Sequence, residues 1–111
     1  MAGKFDLKRA KDGQFFFTLV AGNGEIVGKS EMYKAKASAN NGIESVKKNS
    51  AEAGRFKEPF EGKSGKWYFS LKARNGEIIL SSQGYSSEDG AKGGIGAVQR
   101  AADGAPTNDI S

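Results

Sequence analysis

Two recurring groups of side chains in this sequence have the types and spacing to do chemistry. Ser30 and Tyr33, three residues apart, return as Ser82 and Tyr85, and Glu25 returns as Glu77. A serine becomes a nucleophile only beside a base, and in a chain without histidine a lysine is the remaining candidate. The plainer reading is a hydroxyl bonded to the backbone where a strand gives way to a helix, with the tyrosine packed over the junction. Glu25 and Glu77 would form an acid/base pair if a twofold axis joined them; beside hairpin turns they are expected to stay solvated. The stretch Asn23 to Ser30 comes within one residue of a phosphate-binding loop, with Asn23 where the first glycine belongs. That motif needs a helix after it, whereas Ile26 to Ser30 reads as a strand. With no cysteine and no histidine the chain offers neither a thiolate metal site nor a disulfide, and it lacks the commonest metal ligand. No catalytic, metal-binding or cofactor-binding residue is therefore assigned, and the chain is read as not an enzyme.

A better lead is aromatic and basic. Phe15, Phe17 and Leu19 alternate with Phe16, Thr18 and Val20, and Trp67, Phe69 and Leu71 alternate with Lys66, Tyr68, Ser70, Lys72 and Arg74. If all helices pack on one side of a sheet, the second set in each case faces away from them. Phe16, Lys66, Tyr68, Lys72 and Arg74 then present rings and cations together, the ingredients for stacking bases and attracting phosphates. The alternative is ordinary cross-strand packing. Lys36, Lys47 and Lys48 give a second basic stretch that reads as a solvated helix face.

The elements that must position these groups are written twice. Gly13 to Lys48 and Gly65 to Arg100 align without a gap, each residue matched by the one fifty-two positions on, and fourteen of the thirty-six pairs are identical. One such unit is too small to bury its own apolar face, so two copies are expected to share a core. Each unit reads as three strands and a helix. Asn23-Gly24 and Asn75-Gly76, set between apolar runs, predict hairpins with type I′ turns. From about Ala35 the period becomes helical: Ala39, Ile43, Val46 and Ser50 are matched by Ala91, Ile95, Val98 and Ala102. Ser86 is the expected N-cap of the second helix. Gly42 and Gly94 lie beside the apolar stripe and imply close approach of helix backbone to sheet.

The aromatic strand, Asn-Gly-Glu-Ile, Ser, Tyr and then Asn40-Asn-Gly-Ile-Glu-Ser-Val-Lys-Lys48 together resemble the YegP-like family of small bacterial proteins in its duplicated form. The resemblance covers nearly the whole chain, and the second unit departs from it at Gly93 and Gly96. It implies β3-α-β units in tandem, one sheet built from both, and exchange of the strands that follow the helices. The strand near Arg55 to Glu58 and the tail near Thr107 to Ile110 would each pair with the other half. It implies no activity.

The expected fold is thus α+β: two tandem β3-α-β units, residues 1–54 and 55–111, sharing a single antiparallel sheet with helices packed on it and exchanged C-terminal strands. Phe17, Leu19, Ile26, Ile43, Val46, Phe69, Leu71, Ile78, Ile95 and Val98 are expected at its centre. The N-terminal run has no apolar core of a leader, and no stretch reaches the length of a membrane span, so a cytoplasmic, soluble monomer with pseudo-twofold symmetry is expected. Its formal charge of +4 favours polyanions weakly. The functional expectation is a binding or interaction module for an unknown protein partner. The alternative is weak, salt-sensitive nucleic-acid binding through the exposed sheet face of the second repeat.

Overall fold

Glycine decides where this chain reverses. Gly13, Gly24, Gly65 and Gly76 have φ of 88°, 90°, 82° and 87°. At the second of these, Gly24 N donates to Ala21 O at 2.9 Å and Ala21 N donates to Glu25 O at 2.8 Å. This is a three-residue loop, a type I turn closed by a left-handed glycine. The type I′ turns expected at Asn23-Gly24 and Asn75-Gly76 are not formed, because they would put the asparagines at positive φ, and among the described residues no residue but glycine takes it. Asn23 Oδ1 instead accepts from Glu25 N at 3.0 Å, and Asn75 Oδ1 does the same for Glu77 N.

The computed structural model describes residues 3–111. Strands β1 (Lys4–Arg9), β2 (Phe15–Val20) and β3 (Ile26–Lys29) precede helix α1 (Lys36–Ser50). Strands β4 (Phe60–Glu61), β5 (Trp67–Tyr68), β6 (Ser70–Lys72) and β7 (Ile78–Ser81) precede helix α2 (Glu88–Ala102) and strand β8 (Thr107–Asp109). Six strands form one sheet in the order β6-β7-β3-β2-β1-β8, and β4 pairs with β5 beside it. The two repeats meet where Lys29 pairs with Ser81. Those residues are equivalent in the duplication, so the pseudo-twofold axis passes between them. Gly28 and Leu80 are equivalent too, and a Cβ at Gly28 would lie 2.6 Å from a Leu80 methyl: one side chain fills the space of two at the axis.

Both helices pack on one face of this sheet, and each reaches strands of both repeats: α1 touches β2, β6 and β7, while α2 touches β1, β2, β3 and β5. Phe5, Phe17, Leu19, Ile43, Val46, Phe69, Leu71, Leu80 and Val98 form one buried cluster between the layers. Ile26 and Ile78, expected there, are 40% and 37% exposed. A bulge is the cause. Val20 pairs with Ile26 while Leu19 pairs with Gly28, which leaves Val27 as the extra residue, and Ile79 is its counterpart opposite Leu71 and Lys72. The extra residue resets the alternation, so Val27 and Ile79 turn inward and the isoleucines turn out. Ile95 lies at the margin of the core, half-buried.

Helix α2 is capped by Ser87, one residue beyond the expected Ser86; its hydroxyl accepts from Gly90 N at 3.0 Å. Its glycines divide by role. A Cβ at Gly94 would collide with the Tyr85 hydroxyl and come within 2.8 Å of Phe69, whereas one at Gly93 would meet nothing within 4 Å.

The expected exchange is present with altered geometry. Phe56, after α1, bridges Leu71, and Lys57 N donates to Ser70 O at 2.9 Å. Strand β8, after α2, pairs with β1 in parallel, so the sheet is mixed rather than wholly antiparallel. Phe56 pairs with Leu71 but Phe60 with Tyr68, so one extra residue lies between Phe56 and Phe60; the register shifts by one there, and the second aromatic strand divides into β5 and β6. Asp109 ties β8 down: its carboxylate accepts from the Ser111 hydroxyl at 2.6 Å and from Lys36 Nζ at 3.0 Å.

Two predictions follow from this packing. Glycine to alanine inside a helix ordinarily stabilises by about 1 kcal/mol. Gly93→Ala should do so, while Gly94→Ala should destabilise by about 1–3 kcal/mol through overpacking; chemical denaturation of the two variants checks the opposite signs. Ser111, then Lys36, hold the Asp109 carboxyl down at about 2. A carboxylate depressed below its unfolded value of about 3.9 stabilises fully above that value, and the contribution fades as pH falls toward the folded one. Carbon-detected NMR should find the Asp109 midpoint near 2 with the Ile110 amide shifting in step; an ordinary midpoint would show that these partners do not hold it.

Candidate functional site

The serine and tyrosine pairs are placed where no nucleophile is made. Ser30 Oγ accepts from Phe17 N at 2.9 Å and donates to Glu31 O at 2.8 Å. Ser82 Oγ does the same with Phe69 N and Gln83 O, both at 2.9 Å. Tyr33 exchanges two backbone hydrogen bonds with Phe15, its ring stacks on Phe17 at 6.2 Å, and a Cβ at Gly42 would lie 2.5 Å from its hydroxyl. Tyr85 repeats this on Trp67, Phe69 and Gly94. Burial pushes the Tyr33 phenol above its ordinary value, with the Glu31 and Glu77 carboxylates adding to it; burial and then Glu25 do the same for Tyr85. Both phenols therefore stay protonated, which suits packing and not general-base work. Glu25 and Glu77 are exposed at separate hairpins. Asn23 to Ser30 is a turn followed by β3, without the helix a phosphate loop needs.

The opposite face of the sheet carries no helix. Register places the side chains there in rows across the strands. Ser70, Ser81, Lys29, Thr18, Asp6 and Asn108 form the central row, one from each strand in sheet order. Above and below it stand Lys8 with Phe16, Lys4 with Val20 and Ile26, and Lys72 with Ile78. Within the six strands this face thus bears Lys4, Lys8, Lys29 and Lys72 against one carboxylate, Asp6. That carboxylate is already engaged, 3.6 Å from Lys4 Nζ and accepting from Asn108 Nδ2 at 3.1 Å. Thr18 and Ser70, equivalent in the duplication, are buried to 4% and 5% exposure, and among the described residues neither hydroxyl has a hydrogen-bond partner.

Of the residues expected to make contacts, the fold brings Lys66 and Tyr68 together and spreads the others. Phe16 is half-buried on this face with Lys29 Nζ 5.0 Å above its ring. Tyr68 faces Phe60 at 6.1 Å, and Lys57 Nζ stands 5.2 Å over the Phe60 ring. Lys66 and Tyr68 converge on Gly84, where a Cβ would meet Lys66 at 2.8 Å and the Tyr68 hydroxyl at 3.2 Å. Lys72 lies at the end of β6 beside Ile78. Arg74 departs: the hairpin carries it off the strand to line a groove with Ser45, Lys48 and Asn49 of α1. Tyr68 is therefore not flanked by three cations on one face. Lys29, Lys57 and Phe60 join the site without having been expected; the Lys29 signal was there in the alternation of β3, but Phe60 sits in what reads as a junction. The second basic stretch is partly spent, since Lys36 pairs with Asp109 at 3.0 Å and Lys47 with Glu44 at 3.6 Å.

Residues 10–56 and again 63–109 match DUF1508, described as a domain of unknown function. The chain belongs to the DUF1508 family. It is 52% identical over all 111 residues to UPF0339 protein PA0329 of Pseudomonas aeruginosa, covering the whole of both chains. Its fold is that of the solution structure of yegP from E. coli, a protein of unknown function, with a TM-score of 0.91 and 43% identity over 99% of this chain and 94% of that one. UPF0339 protein SO3888 from Shewanella oneidensis is similar, with a TM-score of 0.90 and 41% identity over 99% and 92%. Each DUF1508 match takes in a hairpin, the third strand, the helix and the segment after it. Strand β1, on which β8 docks, lies outside both. No helix of the described residues is long and apolar enough to cross a membrane.

The serine of the DUF1508 unit is assigned here a structural role with a measurable cost. Ser30→Ala leaves the buried Phe17 N–H without its acceptor, so it should destabilise by about 1–3 kcal/mol. Denaturant unfolding of that variant checks it; a change below about 0.5 kcal/mol would show that the hydroxyl is free for other work.

Proposed function

We propose that this chain is a non-enzymatic binding protein whose working surface is the helix-free face of its sheet, and that the charge there selects an anionic partner. The observation that carries the reading is the composition of that face within the six strands: four lysines against one carboxylate that Lys4 and Asn108 already occupy. An apolar docking surface would need contiguous hydrophobic area, and the exposed isoleucines, Ile26 and Ile78, stand apart on different repeats. The reading takes the chain as one domain of two repeats, 1–54 and 55–111, acting as a cytoplasmic monomer whose pseudo-twofold axis crosses the working face.

A second reading narrows the partner to nucleic acid bound weakly through the part of the face that the second repeat supplies. The grouping of Phe60, Tyr68, Lys57 and Lys66 favours it, because aromatic rings beside cations serve base and phosphate together.

An amide-shift titration of labelled protein with a short single-stranded RNA and with a DNA duplex, each at two salt concentrations, tests both. Saturable shifts on Phe16, Lys29 and Tyr68 that weaken with salt are expected. Shifts confined to the helix side would overturn the choice of surface; silence with both polyanions would remove the anionic partner and leave a protein partner to be sought.

A further inference from the structure

The centre of the helix-free face holds two hydroxyls that the fold leaves idle. Thr18 and Ser70 are more than nine-tenths buried, lack any partner among the described residues, and lie in one row with Lys29 and Ser81 between them. A sheltered hydroxyl without a partner is a cost to folding, and apolar residues of similar shape would avoid it. The two occupy equivalent places in the duplication, so the same arrangement arises in both repeats. Between them stands a single lysine: its equivalent is Ser81, so the centre carries one positive charge flanked by hydroxyls on either side. Thr18 and Ser70 stand three strand spacings apart, about 14 Å, so hydroxyls that donate and an ammonium that attracts complement two phosphates of one strand rather than a single one.

A ring also stands two residues off the row beside each hydroxyl, on opposite sides of it. Phe16 lies two residues from Thr18 on β2, and Tyr68 two residues from Ser70 on the antiparallel counterpart, so they flank the axis on opposite sides. Three strand spacings and four residue steps place them about 20 Å apart along a diagonal. That is the span of a short oligonucleotide rather than of a free anion, and a ring can stack only on a base that is not already stacked in a duplex.

We propose that a single strand of nucleic acid crosses the helix-free face along this diagonal, with one phosphate seated on Thr18 and Lys29, another on Ser70, and bases stacked on Phe16 and Tyr68. The proposal rests on the reading of this face as the binding surface and adds the ligand and its register. Lys29 Nζ, already held over Phe16, serves the ring and the phosphate in turn. Reaching the hydroxyls requires the side chains that shelter them to move aside.

The test is anisotropy titration of the full chain with a labelled single-stranded oligothymidylate of about ten nucleotides, with a duplex and inorganic phosphate as competitors. Thr18→Val and Ser70→Ala should each weaken single-strand binding about tenfold while thermal stability holds or rises, because an unpaired buried hydroxyl is removed. Lys29→Gln should weaken binding and lower the logarithmic salt slope by about 0.7. Tyr68→Leu should cost about fivefold or more. If the two hydroxyl variants lose stability and keep affinity, the phosphate seats are overturned while the surface reading stands. Competition by inorganic phosphate as strong as by the strand overturns the strand, and so does a duplex that binds as well and ignores Tyr68→Leu. Absence of binding to every polyanion overturns this proposal and the anionic reading together.

Discussion

The packing of a tyrosine between sheet and helix is the contact on which the remainder of this structure depends. After its third strand each repeat leaves the ladder, and the point of departure is held by a serine hydroxyl that takes the place of a backbone acceptor for Phe17 or Phe69. The tyrosine three residues on lays its ring on that same phenylalanine, within 6.2 Å in the first repeat and 6.1 Å in the second. The helix can then reach the core only by presenting no side chain at Gly42 or Gly94. Strand exit, helix entry and helix height above the sheet are thereby fixed by one set of four residues, used twice. A helix as rich in glycine as α2 has little stability of its own, and this seat offsets what its backbone lacks.

Duplication turns that local device into a shared core. Each helix spans strands of both halves, so neither repeat can bury its apolar stripe without the other, as expected for units of this size. Symmetry is kept where packing demands it and abandoned at the axis. There Gly28 makes room for Leu80, since two leucines would compete for one space and two glycines would leave a hole. On the other side of the same strands the axis sets Lys29 against Ser81, which avoids two ammonium groups facing each other across one pair of strands. The two faces thus depart from symmetry at adjacent residues for different reasons, one of volume and one of charge.

Much of this is written in the order of residues. The repeat, the aromatic strands, the hairpin positions and the helical stripe are legible because each depends on a short period or on a neighbouring pair. What escapes is whatever a distant residue decides. The bulge that sends Ile26 outward and Val27 inward is set by pairing with Leu19 and Val20, and alternation read along one strand has no sign of it. The break between β5 and β6 comes from the extra residue between Phe56 and Phe60, some ten residues upstream in a segment that reads as a junction. Arg74 shares the parity of Tyr68 and Lys72, yet the turn begins before it and parity ceases to apply. Phe60 and Lys57 join Tyr68 only through cross-strand register, and Thr18 and Ser70 carry no sequence signal of being unpaired.

The helix-free face poses a physical question that stability alone does not answer. A sheet face without a covering layer is commonly kept soluble by charges of both signs, interspersed. Here one sign prevails within the six described strands, where the one opposing carboxylate is held by a lysine and an amide. Like charges spread over one surface repel and favour the unfolded chain, as do hydroxyls withdrawn from water without partners. Both costs fall on the same face, in a fold whose other face satisfies its polar groups at Ser30 and Ser82 with two hydrogen bonds each. A core that places hydroxyls so economically on one side would not need idle ones on the other for folding. The two costs are relieved together when an extended polyanion lies across the face, because its successive phosphates neutralise the excess charge and accept from the two hydroxyls in turn.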